Sequence, residues 1–145
     1  MPEKETLRRA RADKRAGKAP STQAGEFVRE EIHHVREGKH GARSTKQAVA
    51  IGLAKARRAG VKLPAPKRAS AATKRSAASA SRAGRRHAKP SPARSRGARK
   101  ALKREGHQAA SRKALSRQAT AAARRRSAAS RRAAARKAAR TRARA

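Results

Sequence analysis

A chain of 145 residues with 43 Lys and Arg against 8 Asp and Glu, a formal charge of +35 and 1% aromatic residues cannot bury an ordinary core along its whole length. It holds no Cys, which excludes disulfides and thiolate metal sites. Its longest weakly polar run, 48–54, is far short of the roughly 20 residues a spanning helix needs, and no apolar signal stretch opens it, so a cytoplasmic setting without membrane contact is expected.

The charge is uneven. Seven of the acids, Glu3, Glu5, Asp13, Glu26, Glu30, Glu31 and Glu37, lie near the N-terminus, and beyond them only Glu105 opposes the basic residues. So much like charge repels itself unless phosphates neutralise it, which makes nucleic acid the default partner. Residues 1–19 mix both signs around Leu7 and read as a flexible arm.

Residues 20–66 read as a helical hairpin. Ser21 or Thr22 can cap a first helix whose apolar positions Ala24, Val28, Ile32 and Val35 recur every three to four residues, with Phe27 widening the stripe. Arg29, Glu30, His33, Arg36 and Glu37 form its polar face, and Gly38 is its left-handed stop. Ser44 to Gln47 make a capping box for a second helix, whose stripe of Ala48, Val49, Gly52, Leu53 and Ala56 is small enough for close approach. Gly60 ends it, and Pro64 and Pro66 prevent its resumption.

Residues 67–145 are dominated by Ala, Ser, Gly, Pro, Lys and Arg with only Leu102 and Leu115 as large aliphatics, a compositional repeat without a strict period. Pro90, Pro92 and several Gly argue for an extended segment to about Gly97. Beyond it, Ala and Arg favour helix while unscreened charge opposes it, so disorder when free and helix when bound is expected. The expected fold is thus mostly α and disordered: a small hairpin followed by a long basic low-complexity tail.

The stretch PSTQAGEFVREEIHHVREGKHGARSTKQAVAIGLAKARRAGVKLPAP, residues 20–66, resembles a family of small basic bacterial proteins carrying a domain of unknown function, some of which bear the label of plasmid stabilisation protein. The resemblance rests on GEFVREEI and GKHGARSTKQA. It implies a bacterial origin and brings no catalytic residues. The rest of the chain is similar in composition to the Ala, Lys and Arg-rich tails of linker histones and bacterial histone-like proteins.

Candidate phosphate contacts fall into two groups. Lys39, Arg43 and Lys46, with His40, surround the N-terminus of the second helix, where free N–H groups and the helix dipole favour an anion. In the tail, Lys74, Arg75, Arg85, Arg86, Arg124, Arg125, Arg126, Arg131, Arg132, Arg136 and Lys137 stand in clusters. Arg can fork onto phosphate, and the lack of aromatics to stack on bases favours a duplex over single strands. Thr45, Lys46 and Gln47 could meet base edges as in a helix-turn-helix, although that motif normally needs a third helix. Ser91 to Arg94 could form a basic turn aimed at a minor groove.

Glu30, His33, His34 and Glu37 have spacing that could hold a metal, but the order is not HExxH and Ile32 interrupts them, so no metal or cofactor is expected. Those acids could instead hold part of the basic tail, or of a partner subunit, when DNA is absent. No arrangement for catalysis is present, and an enzyme is not expected. The expected function is that of a nucleoid-associated, histone-like protein that neutralises and compacts duplex DNA with little sequence preference. The alternatives are an RNA- or ribosome-associated protein, or an adaptor whose hairpin docks a protein while the tail tethers it to DNA. A hairpin this small also invites weak self-association or folding on a partner.

Overall fold

The computed structural model describes residues 2–144. It divides into two units, Met1–Ser111 and Arg112–Ala145. The first holds helices α1 (Lys4–Arg15), α2 (Pro20–Arg36), α3 (Thr45–Arg58), α4 (Ala71–Arg85) and α5 (Pro92–Lys103), then a 3₁₀ turn at Gln108–Ala110. The second holds α6 (Arg112–Arg124) and α7 (Ala128–Ala143), and no strand occurs among the described residues.

The α2–α3 hairpin is the centre of the first unit. Ala24, Phe27 and Ala56 are buried with Ala10 of α1, and Leu7, Leu53, Val61 and Leu63 pack around them. Gly52 sets the interhelical distance, because a Cβ there would lie 2.6 Å from the Val28 Cα. Gly38 and Gly60 take positive φ, 73° and 91°, and end α2 and α3 as the sequence suggests. Past Gly60 the Val61 N–H donates to the Ala56 carbonyl, and the buried Arg57 holds the departing chain through the Leu63 and Pro64 carbonyls.

Several expectations are corrected. The arm at 1–19 is helix α1, which packs on α2 through the buried Thr6 and Ala10. Helix α2 begins at Pro20 with Ala19 as N-cap, not at Ser21 or Thr22; proline suits a first helical position because its missing N–H would have no partner there. Glu30 is not on a solvated face but 4% exposed, and Glu31 is fully buried.

The largest correction is the tail, which is not a disordered low-complexity segment: 71–143 holds four ordered helices. Burial here does not need large aliphatics. Ala77, Ala80 and Gly84, spaced three and four apart, form a small-residue stripe on α4 that lies against α3, with Gly84 meeting the Arg57 carbonyl. Residues 102–111 return to the hairpin loop. Gly41 N–H donates to the Leu102 carbonyl and Ala42 N–H to that of Gly106, while Gly41 leaves no room for a Cβ against Glu105. The Thr45 hydroxyl donates to the Ala109 carbonyl at 2.6 Å and Arg36 Nε to that of Ala110 at 2.9 Å.

Helices α5, α6 and α7 bury no residue, so Ala and Arg propensity and good ends order them. Pro92 opens α5 at its first turn, so it marks a helix start where extension was expected, and Ser91 to Arg94 is that start and not a free turn. Ser127 caps α7 by accepting from the Ser130 N–H.

Two glycines test the hairpin packing. Gly52→Val should lower the stability of the first unit by about 2–3 kcal/mol, since the added carbons meet α2 backbone that cannot rotate away. Gly25→Ala, in α2 with nothing within 4 Å, should gain up to about 1 kcal/mol of helix propensity. Denaturant melts of both variants check the pair; equal effects would show that α2 and α3 do not approach at Gly52.

Candidate nucleic-acid interface

The acids of the first unit are neutralised at home. Arg9 pairs with Glu26 at 2.6 Å and with Glu5 at 3.3 Å, and Lys18 pairs with Asp13 at 2.7 Å. The Lys55 ammonium lies 2.7 Å from Glu31 and 3.4 Å from Glu30. Glu3 accepts from His34 at 2.9 Å and from Lys39 at 3.2 Å, contacts that hold its carboxyl below the usual range. Among the described residues the partners of Glu3, Glu5, Asp13, Glu26, Glu30, Glu31 and Glu37 come from the first 55 positions.

The loop group separates accordingly. Lys39 is engaged by Glu37 and Glu3, which raise the pKa of its ammonium above the ordinary value, and His40 turns inward to Glu31. Arg43 and Lys46 remain exposed beside the start of α3. Ser44 caps that helix by accepting from the Gln47 N–H, while Gln47 Oε1 reaches back to the Arg43 N–H at 2.7 Å. Thr45 is buried on Ala109, so two of the three side chains considered for base edges make internal contacts.

The remaining candidates are all exposed. Lys74 and Arg75 lie in the second turn of α4, with Arg85 and Arg86 at its C-terminal end, where the dipole favours cations. Arg124 ends α6, Arg125 and Arg126 form the turn after it, and Arg126 donates to the Ser130 carbonyl and hydroxyl at 3.3 Å. On α7, Arg132 and Arg136 share a face with Arg140, whereas Arg131 and Lys137 flank it.

The helices bring together cations that cluster-based reading misses. Arg96, Arg99, Lys100 and Lys103 stand at i, i+3, i+4 and i+7 on α5, which makes one continuous basic stripe. Lys113, Arg117 and Arg124 line one face of α6 in the same way. The signal is periodicity, which shows only once the helix bounds are placed. None of α5, α6 and α7 carries an acid.

No helix is long and apolar enough to cross a membrane among the described residues. No curated protein and no solved structure matches the chain. Residues 11–68, which run from α1 through the α2–α3 hairpin, match a family of unknown function (DUF6496).

Proposed function

We propose that this chain is a nucleoid-associated, histone-like protein that binds and compacts duplex DNA with little sequence preference. The observation that carries this reading is that α5 to α7 bury nothing, carry no acid and present fifteen Lys and Arg side chains. Cations at i, i+3 and i+4 on one helix repel each other, and phosphates relieve that repulsion. The geometry suits a duplex: the 16 residues of α7 span about 24 Å, and duplex DNA offers a charge about every 1.7 Å of its axis, more than enough for every Arg and Lys on the helix. The linker-histone-like composition after Pro64 agrees with a DNA partner. The first unit, with its acids internally paired, would anchor and orient the basic helices.

Salt dependence tests the reading. If about ten cations sit on phosphates, log Kobs should fall against log salt with a slope of about −9. A slope shallower than about −3 removes the electrostatic account, and a footprint confined to one sequence moves recognition to Arg43, Lys46 and the start of α3. Competition between duplex DNA and structured RNA at physiological salt decides the partner: the duplex should win, and preference for RNA would make this an RNA-associated protein.

A further inference from the structure

We propose that Glu31, His34 and His40 form a binding site for a divalent transition-metal ion, with zinc the best fit. One ligand atom from each of the three lies within 4.8 Å of the others. Glu31 and His34 are one helical turn apart on α2, and the loop that Gly38 turns brings His40 back over them. Two imidazoles and one carboxylate are the donor set for Zn²⁺ with a position left open, and imidazole selects it over Mg²⁺ or Ca²⁺. The set differs from the four residues singled out by spacing: His33 and Glu37 are exposed, and Glu31 and His40 take their place beside His34.

Glu31 is the group that asks for a cation. Its side chain is 1% exposed and neither oxygen receives a hydrogen bond. Lys55 stands against Oε2 at 2.7 Å as an ion pair without hydrogen-bond alignment, and it serves Glu30, equally buried, as well. Two buried carboxylates therefore share one ammonium, and a buried charge left over is costly. Oε1 faces His40 Nε2 at 3.3 Å, close to the roughly 3.4 Å edge of a tetrahedron with bonds of about 2.1 Å.

Both histidines already have the outer partner that ligating histidines carry. His40 Nδ1 lies 3.0 Å from the Gly41 carbonyl, which leaves Nε2 to bind metal. His34 Nε2 lies 2.9 Å from the Glu3 carboxylate, which leaves Nδ1. His34 also lines a cavity of about 210 Å³ with Glu3, Arg9, His33, Glu37 and Lys39. Neither this site nor its metal depends on the basic helices, so it stands whether or not the chain binds DNA.

Zinc titration of the full chain, stripped with chelator and read by a competing chromophoric chelator, should show one ion bound per chain and a rise in melting temperature. Cobalt in its place should give the intense visible absorption of a four- or five-coordinate site. His40→Ala should abolish the one-to-one binding, and Glu3→Gln, which loosens His34 only from outside, should weaken it by about 10–100-fold. A chain with His33, His87 and His107 all changed to Ala should bind as the native one does. Absence of stoichiometric binding in the native chain, or equal loss in the triple variant, would overturn the proposal, as would cobalt spectra showing six-coordinate aqueous-like ions. Because the native-chain spectra need no variant, misfolding of His40→Ala leaves the test intact.

Discussion

Replacing Lys55 by Met should destabilise the first unit by about 3–5 kcal/mol, the range for removing one partner of a buried ion pair. The ammonium faces Glu30 and Glu31, whose side chains are each 1% exposed, and among the described residues no other Lys or Arg pairs with either. Once it is gone, two carboxylates remain inside α2 with the Glu3 N–H on Glu30 and the histidines as their main relief. Domains of this size are stable by only about 5–15 kcal/mol, so urea melts should move to much lower midpoints. The loss belongs to the stranded charge and not to the missing lysine stem. Changing Glu31→Leu together with Lys55→Met should therefore recover most of it, leaving a coupling of at least about 2 kcal/mol in the double-mutant cycle. Additive losses would show that the two side chains do not interact.

What sequence reasoning could reach in this fold was local. Helix ends were legible because capping chemistry is short-range: Ser44 with Gln47, Gly38 and Gly60 all stand where they were expected. The spacing of Phe27, Ile32 and Val35 gave the buried stripe of α2, and Gly52 gave the close approach of α3. The tail was misread because burial was equated with large aliphatic side chains. Ala77, Ala80 and Gly84 bury backbone against backbone, and residues 102–111 dock through carbonyls of Leu102, Gly106, Ala109 and Ala110. Main-chain acceptors leave no mark in composition. A proline at a first helical turn looks the same in sequence as one in an extended segment, which is why Pro92 reads as extension until α5 is placed.

The charged residues divide along the same line. That the excess of Lys and Arg lies past Pro64 is plain from the sequence, and so is its exposure. The inward role of Glu31, His40 and Lys55 was not, because it depends on α3 and the 37–44 loop folding onto α2: Lys55 lies 24 positions from Glu31. A charged residue on the flank of an apolar stripe looks solvated until the neighbouring helix is placed.

Removing the second unit should cost most of the DNA affinity while leaving the first unit folded. A chain ending at Ser111 keeps α1, α4 and the 3₁₀ turn, which pack on the hairpin, so its helical signal per residue and its melt should resemble those of the whole chain's folded unit. It loses thirteen Lys and Arg residues and no acid. If about six of the ten or so phosphate contacts go with them, the salt slope should shrink from about −9 to about −4, and binding near physiological salt should fall by about 10²–10³. The residual affinity would come from the stripe Arg96, Arg99, Lys100 and Lys103 and from α4. Changing Arg43 and Lys46 to Glu in the whole chain removes only two contacts beside α3 and should weaken binding far less than the truncation does. An unchanged slope in the truncated chain, with binding abolished by those two substitutions, would place the DNA site on the hairpin loop instead of on the basic helices.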